Sequence, residues 1–180
     1  MAFARVPIAT IDTTVLLSLQ STGLLPSLPV LFDRILVPKA VRKEIVDGRE
    51  GNASTLQALG EYAIFESCDH FDRSLVKWLL DTRAHAKAER DLGEAEAVVQ
   101  AAQRGAQFVL TEDRLGREWA RNHGLEPDGT LWICKELRRT GYLEKLRPVF
   151  VMLIAARRFQ PRDEMNKILR EFSEEEISGD

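Results

Sequence analysis

The chain has 180 residues, of which 44% are hydrophobic and 29% are charged, and these proportions are ordinary for a soluble globular protein. Its length suits one domain with a proper core, and no apolar run approaches the roughly 20 residues that a membrane-spanning helix needs, so we expect no membrane association. The net charge of -3 excludes a general attraction to nucleic acid, and a polyanionic partner would therefore need a local basic patch.

The cysteines and the first residues bear on the cellular compartment. The segment MAFARVPIAT lacks the sustained apolar stretch of a secretory signal peptide. Cys68 and Cys134 lie far apart in the sequence, which is typical of reduced thiols rather than of a disulfide framework. The sequence therefore predicts a cytoplasmic protein.

Short apolar, β-branched runs alternate along the chain with longer segments of helical period. The runs VPIATI, RILVP, YAIFES and AQFVLT predict strands at residues 6–11, 34–38, 62–67 and 106–111. Helical periodicity predicts helices at residues 13–20, 26–33, 39–47, 53–60, 73–81, 94–104, 114–123 and 129–140. This alternation predicts an α/β fold with a mainly parallel sheet, and in such sheets sites form at the carboxyl ends of the strands.

The C-terminal part of the chain has no further strand signal. Residues 149–172 predict two closing helices, which Pro161 separates, and they complete a single domain over residues 1–172. The last segment, SEEEISGD at residues 173–180, is acidic and offers Ile177 as its one sizeable apolar side chain. We therefore expect a flexible tail there, dispensable for folding.

Two of the predicted strands are each followed within two residues by an acid that precedes a predicted helix. Asp12 follows the first strand and Asp113 follows the fourth, which puts both carboxylates at the carboxyl edge of the sheet. Each acid is equally suited to cap the helix that begins at the next residue, so a site and two ordinary caps both stay open. Glu44 flanks the apolar stripe of the helix predicted at residues 39–47, where an acid on its own is typical of a solvated position.

The stretch ERDLGEAEAVVQ, at residues 89–100, crowds acids around the start of a helix. Asp91 and Glu94 have the spacing of a capping box, and the helix dipole favours anions in the first turn. At 100° per residue, however, Glu94 shares a side with small residues that let the helix approach the sheet closely. This geometry would carry Glu94 toward Asp12 and Asp113, whereas Glu96 lies on the polar side and is expected to be more solvated.

Carboxylates from separate elements favour a hard cation such as Mg²⁺ or Mn²⁺. Without a cation, clustered carboxylates repel one another and raise one another's pKa. The alternatives have less support, because Cys68, His70, His85 and His123 lack the spacing of a zinc site and no Gly-x-Ser-x-Gly turn is present.

Four segments resemble, in order and spacing, the acidic motifs of the PIN-domain nucleases and especially of the VapC-like toxin ribonucleases of prokaryotic toxin-antitoxin pairs. They are IDTTVLLSL, ILVPKAVRKEI, LGEAEAVVQAA and VLTEDRLGREWA. The segment GLEPDGTLWICKELRRTGYL and the closing helices are also similar to one PIN subfamily, so the resemblance covers nearly the whole chain. It implies a three-layer α/β/α fold with a C-terminal helical pair.

The resemblance also implies metal-dependent hydrolysis of RNA phosphodiester bonds by a hydrolase that uses Mg²⁺ or Mn²⁺. The implied catalytic residues are Asp12, Glu44, Glu94 and Asp113, and the implied metal ligands are Asp12, Glu94 and Asp113. Many PIN domains carry one more acid where Leu115 and Gly116 stand here, and Glu112 and Glu118 are the candidates to substitute for it. Glu112 is a secondary site candidate for that reason, and Glu96 is one as the alternative to Glu94 for the third metal ligand. An antitoxin is the implied protein partner, and a homodimer is also compatible with the resemblance.

Basic residues near the acids are candidates for RNA binding. Arg114, Arg117 and Arg121 form one stripe on a helix that begins beside Asp113, and Lys87 and Arg90 belong to a second patch. A solvated helix face explains the stripe equally well, and Trp119 and Trp132 fit a core better than a base-stacking surface. The leading hypothesis is thus a ribonuclease toxin, and the alternative is a noncatalytic PIN-like module that binds nucleic acid or protein.

Overall fold

The computed structural model describes residues 5–48, 52–82, 91–158 and 161–178. Its centre is a five-stranded sheet in which all neighbouring strands are parallel. The strands are β1 (Val6–Ile11), β2 (Phe32–Pro38), β3 (Phe65–Cys68), β4 (Phe108–Leu110) and β5 (Glu126–Asp128), in the order β3-β2-β1-β4-β5. The helices are α1 (Thr13–Ser21), α2 (Lys39–Asp47), α3 (Asn52–Glu61), α4 (Arg73–Asp81), α5 (Leu92–Arg104), α6 (Arg114–Asn122), α7 (Thr130–Arg139), α8 (Arg147–Ala155) and α9 (Arg162–Glu171).

Side chains of the central strands alternate between two cores, one on each face of the sheet. Ala9 and Ile11 of β1 and their register partners on β4 belong to the larger core, to which α1, α7, α8 and α9 contribute. Val109 of β4 belongs instead to a smaller core with side chains of α4, α5 and α6. Because successive strand residues face opposite sides, both faces are apolar and both are covered by helices. The three-layer α/β/α fold is therefore confirmed.

Most of the elements lie where the sequence predicts them, and β1 has the predicted bounds. The helix predicted at residues 26–33 is wrong. A 3-10 helix spans Leu25–Val30 instead, and the chain enters β2 at Phe32. Pro29 removes a backbone donor that an α-helix would need, whereas Pro26 stands in the first turn, where proline is tolerated.

Strand β5 is an element that the sequence does not predict. Its three residues read Glu-Pro-Asp and have low strand propensity. The strand exists because the backbone next to β4 pairs with it: Glu126 N–H donates to the carbonyl of Gln107 at 3.0 Å, and Thr111 N–H donates to that of Asp128 at 2.7 Å. Its place at the sheet edge accommodates the proline. β5 thus places Asp128 at the carboxyl ends of the strands, where the acids that follow β1 and β4 also lie.

The C-terminal segment contains the two predicted closing helices, α8 and α9, but its tail differs from the expectation of a flexible end. Glu174 accepts hydrogen bonds from the backbone N–H groups of Leu146 and Arg147 at the start of α8. Asn166 of α9 holds the backbone of Ile177 through two hydrogen bonds, and the Ile177 side chain is buried. These contacts hold residues 174–178 against α8 and α9. Glu174 supplies the acceptor at the start of α8, because that helix has no capping side chain of its own.

Two further observations concern the helices and the thiols. Among the residues that the structure describes, every helix falls short of the length and apolarity that a membrane crossing requires. Cys68 and Cys134 are both buried free thiols, as the sequence predicts.

Candidate active site

Asp12 lies at the carboxyl end of β1 and is almost fully buried. Its Oδ1 accepts the backbone N–H of Val15 at 2.8 Å, which caps α1, and its Oδ2 accepts the backbone N–H of Glu112 at 3.2 Å. Burial raises the pKa of Asp12 to about 6, although hydrogen bonds from Thr111 and Val15 act in the opposite direction. Asp12 is therefore both a helix cap and a carboxylate held at the sheet edge.

Asp113 follows β4 and lies next to Asp12 in the sheet order. Its Oδ1 accepts the backbone N–H groups of Leu115 at 2.6 Å and Gly116 at 3.0 Å, so it caps α6. Thr111 connects the two acids, since its hydroxyl accepts from the Asp113 N–H at 3.1 Å and bonds to the Asp12 carboxylate. The two capping acids are thus held on one small backbone scaffold.

Glu94 projects from the first turn of α5, the helix that packs across β1, β2 and β4. Its Oε2 is buried and has no hydrogen-bond partner among the described residues. Burial, together with the charges of Asp12, Asp113 and Glu44, raises the pKa of Glu94 to about 7, although the hydrogen bond from its own N–H acts in the opposite direction. The structure therefore brings these four acids together, and we refer to Asp12, Glu44, Glu94 and Asp113 as the acid cluster.

Glu44 approaches the cluster from α2. The hydroxyl of Thr13, the first residue of α1, donates to its Oε2 at 2.5 Å. Burial raises the pKa of Glu44, and the Thr13 hydrogen bond lowers it. The approach depends on Gly93, because a Cβ atom at that position would lie 3.0 Å from Glu44 Oε1. The glycine beside Glu94 thus makes room for the neighbouring carboxylate.

Glu96, which the sequence predicts to be more solvated than Glu94, is buried and faces a different part of the fold. Its Oε2 accepts the backbone N–H of Ala40 at 2.8 Å, at the start of α2. The residue before that helix is Pro38, whose side chain cannot accept a hydrogen bond, so the free N–H recruits an acceptor from α5. The charges that act on Glu96 belong to Lys39, Asp69 and Arg73, and the prediction of a solvated residue is wrong.

The capping box, which the spacing of Asp91 and Glu94 left open as an alternative, does not form. The Asp91 side chain makes no capping hydrogen bond to the first turn of α5. Glu94, for its part, faces the other acids, as its place beside the small residues Ala97 and Ala101 indicates.

Comparison with known protein families decides what kind of domain this is. A sequence model described as a PIN domain matches residues 8–174. The chain belongs to the PIN-domain family. PIN domains are generally nucleases, and PIN nucleases generally use divalent metals. The comparison with curated proteins gives no match.

Gly116 is one of the two residues that stand where the resemblance leads us to expect a further acid. A Cβ atom at Gly116 would lie 3.1 Å from Thr111 Oγ1 and 3.3 Å from Glu94 Cγ. The glycine therefore lets α6 lie against Glu94, and a larger side chain would displace the carboxylate. Here the local geometry favours close packing in place of an additional ligand.

Glu112, a secondary candidate, has partners outside the acid cluster. Its Oε1 accepts the backbone N–H of Thr130 at 2.6 Å, and its Oε2 lies 3.2 Å from Nη2 of Arg117. The residue before α7 is Gly129, which has no side chain to cap the helix. Glu112 is therefore a helix cap, although its backbone N–H contacts Asp12.

The candidate RNA-binding residues have different surroundings. Arg114 and Arg121 are exposed, whereas Arg117 is half-buried and paired with Glu112. Lys87 and Arg90 lie outside the described residues. The predicted basic stripe on α6 therefore retains two exposed guanidinium groups, one of them directly after Asp113.

Asp128 is a residue that the sequence reasoning does not select. Burial raises its pKa to about 6, with Arg117 and Arg121 acting against the increase and Glu126 adding to it. The signal that would find it is the acid at the end of a strand, the same signal that identifies Asp12. It is hidden because Glu-Pro-Asp does not read as a strand.

The acid cluster fits a hard cation in its chemistry. The described residues contain no group of three histidine, cysteine, aspartate or glutamate side chains already arranged to hold a metal ion. Oxygens of Asp12 and Asp113 instead accept backbone N–H groups. Nevertheless, the cluster offers carboxylate oxygens alone, and Glu94 Oε2 is buried without a partner. A divalent cation would offset the repulsion that raises the pKa of Glu94.

Proposed function

We propose that this PIN domain is an endoribonuclease that requires Mg²⁺ or Mn²⁺ and hydrolyses RNA phosphodiester bonds. The observation that carries the proposal is the buried Oε2 of Glu94, which has no hydrogen-bond partner among the described residues and lies amid three other acids. Such an atom lowers stability unless something binds it. A divalent cation is the partner that carboxylate oxygens and the PIN family both favour.

Asp12, Glu94 and Asp113 would hold the cation. When bound, it supplies Lewis-acid polarisation of a phosphate oxygen and a water of lowered pKa. The capping hydrogen bonds fix Asp12 and Asp113 in orientation, because each carboxylate is tied to the backbone of the helix that follows it. In Asp113 only Oδ1 accepts these bonds, so Oδ2 is available to a ligand as far as the described residues show.

Glu44 would act through position rather than direct ligation. Its Oε2 accepts from Thr13, which fixes one end of the carboxylate, while Oε1 faces α5 at Gly93. A carboxylate held in this way orients a water or a neighbouring acid by hydrogen bonding. Arg114 and Arg121, together with Lys87 and Arg90, would contact the phosphates of the RNA.

A toxin-antitoxin role is part of the same proposal. It is supported by the resemblance of the four acidic motifs to those of VapC-like toxins, which implies a cytoplasmic protein with an antitoxin as its partner. Homodimer formation stays a prediction that sedimentation of the purified chain would test.

The test is a cleavage assay on total RNA with Mn²⁺, with Mg²⁺ and with excess chelator. We expect cleavage only with a metal present, and none from the Asp12→Asn variant. Activity that survives the chelator would contradict the metal requirement. A folded wild-type chain that binds RNA but leaves it intact under all conditions would favour the noncatalytic module instead.

A further inference from the structure

A cavity of about 380 Å³ opens beside the acid cluster, between the carboxyl end of β5 and helices α6, α7 and α9. Glu112 links the two places, because its backbone N–H donates to Asp12 Oδ2 and its side chain lines the cavity. The residue after it is Asp113. A group bound in this cavity would therefore lie beside the backbone segment that contacts Asp12 and precedes Asp113.

The charges in the cavity wall nearly cancel. Four acids and three bases line it, namely Glu112, Asp128, Glu164 and Glu171 with Arg117, Lys135 and Lys167. Two ion pairs already join four of them: Arg117 with Glu112 at 3.2 Å, and Lys135 with Glu171 at 2.6 Å. A wall without surplus positive charge is a poor phosphate site and suits a neutral group better.

Asp128 is the half-buried member of the three charged wall residues outside these ion pairs, since Glu164 and Lys167 are exposed. It is half-buried, and its carboxylate accepts no hydrogen bond and forms no ion pair with any other residue in the described part of the chain. The Asp128 carboxylate is therefore available to a ligand that donates hydrogen bonds. Its raised pKa of about 6 still leaves it mostly ionised, and so an acceptor, at neutral pH.

Trp132 supplies a flat apolar wall opposite these polar groups. Its indole stacks on Phe108, with ring centroids 5.0 Å apart and 29° between the planes, and this contact fixes its orientation. The exposed part of the ring lines the cavity together with Leu131 and Ile168. A fixed indole beside an unpaired acceptor is the combination that binds a nucleobase by contact with its face and by hydrogen bonds at its edge.

We propose that this cavity is a subsite for one guanine next to the scissile phosphate, an inference that rests on the proposed RNA hydrolysis. Trp132 would contact the face of the guanine ring, and Asp128 would accept hydrogen bonds from its Watson–Crick edge. Guanine presents two adjacent donors there, N1–H and the N2 amino group, which match the two oxygens of a carboxylate. Adenine, cytosine and uracil each place an acceptor beside their single donor group. Asp128 is thus a specificity-determining residue of the proposed nuclease.

Titration calorimetry of the full chain in chelator, with 5′-GMP, 5′-IMP and 5′-AMP as probes, tests the subsite without cleavage. We expect saturable binding of GMP, weaker binding of IMP, which lacks the amino group, and the weakest binding of AMP. Asp128→Asn should weaken GMP binding by at least about fivefold, the lower end for loss of a bidentate base contact. Glu126→Gln, on the same strand but outside the cavity wall, should leave it unchanged. Equal binding of the three nucleotides, no binding, or an unaffected Asp128→Asn variant would overturn the subsite.

Mapping of cleavage sites in a mixed-sequence RNA separates this inference from the proposed function. The wild-type chain with Mn²⁺ should cut beside guanines, and Asp128→Asn should cut with less base preference. Cleavage that ignores the base, by a chain that binds no GMP, would remove the subsite and leave the nuclease. Asp128-dependent GMP binding by a chain that cuts no RNA would remove the nuclease and leave the subsite.

Discussion

Glu94 of the acid cluster and the glutamates at three helix starts use the same carboxylate chemistry in opposite ways. At three helix starts, a glutamate accepts a backbone N–H that has no acceptor within its own helix. These cap glutamates, Glu96, Glu112 and Glu174, lie 2.8, 2.6 and 2.8 Å from the backbone nitrogens of Ala40, Thr130 and Leu146. In the acid cluster, by contrast, Glu94 keeps a buried oxygen without a partner.

The difference lies in what each group contributes to the fold. A cap glutamate satisfies a helix-start donor and favours the folded state. A buried carboxylate oxygen without a donor costs about 1–3 kcal/mol or more, so the acid cluster lowers stability unless a ligand binds it. The unpartnered oxygen, rather than the presence of an acid, therefore marks the residues to test for function.

The largest expected effect separates two glutamates that lie two residues apart on α5. Glu94→Gln should lower RNA cleavage by at least about a hundredfold, the upper range for loss of an outer-shell partner, because it removes a charge that the cation needs. Glu96→Gln should cleave nearly as well as the wild type, since an amide oxygen can still accept from Ala40. Initial cleavage rates of the two variants, measured beside each other with Mn²⁺, check this. An active Glu94→Gln chain beside an inactive Glu96→Gln chain would reverse the roles that the structure indicates.

The second prediction concerns the tail. Glu174→Ala should lower the free energy of unfolding by about 2–4 kcal/mol, because it leaves the N–H groups of Leu146 and Arg147 without an acceptor and releases Arg138. Glu175→Ala is the matched control, since the Glu175 side chain is 82% exposed and should change stability little. Urea unfolding of both variants provides the measurement. Equal stability of the two would show that the tail does not dock in solution.

The third prediction is a pH dependence in the absence of metal. The pKa of Asp12 is raised from 3.8 to about 6 and that of Glu94 from 4.5 to about 7, so both acids bind protons more tightly in the folded chain. The favourable contribution of these two acids to the free energy of unfolding is fully present below about pH 4 and is lost as the pH rises through 6 and 7.

Asp12→Asn removes one of these titrations and isolates its effect. The wild type loses the contribution of Asp12 as the pH rises, and the variant does not. The free energy of unfolding of Asp12→Asn should therefore increase by about 1–3 kcal/mol relative to that of the wild type when the pH is raised from 4 to 8, because the pKa of Asp12 is raised from 3.8 to about 6. Denaturant unfolding in chelator at the two pH values measures the difference. A constant offset between the two chains would mean that Asp12 titrates normally.

The smallest effect contrasts two helical glycines. Gly60→Ala in α3 should raise the free energy of unfolding by about 0.5–1 kcal/mol, since nothing lies within 4 Å of the added carbon. Gly116→Ala should show no such gain, because its Cβ would crowd Thr111 and Glu94, and it should also reduce cleavage. Thermal unfolding and cleavage rates of both variants decide the point. A stabilised, fully active Gly116→Ala chain would show that the close approach is not needed.

Local patterns in the sequence predict much of this fold. The strand VPIATI and the acids that follow β1 and β4 are found where periodicity and strand ends put them. The small residues of α5 correctly direct Glu94 toward the other acids, because helix faces are set by a fixed angle per residue. The catalytic and metal-binding roles of these residues stay predictions.

The remaining features depend on contacts between distant segments. The partner of Glu96 is an N–H of α2, 56 residues away, and the sequence does not show that Pro38 leaves it uncapped. The tail docks because Glu174 supplies an acceptor for α8. Strand β5 forms by pairing with β4 despite its poor propensity. In each case a distant backbone group, rather than a local pattern, determines the structure.

Binding of Mn²⁺ to the purified chain tests the central claim most directly. Calorimetric titration at pH 8 should show saturable binding by the wild type, and weaker binding at pH 5.5, where protons compete for Asp12 and Glu94. Glu94→Gln should weaken the affinity at pH 8 by at least about tenfold, whereas Glu96→Gln should not change it. Absence of wild-type binding, or equal affinity in the wild type and Glu94→Gln, would contradict a metal site at the unpartnered oxygen.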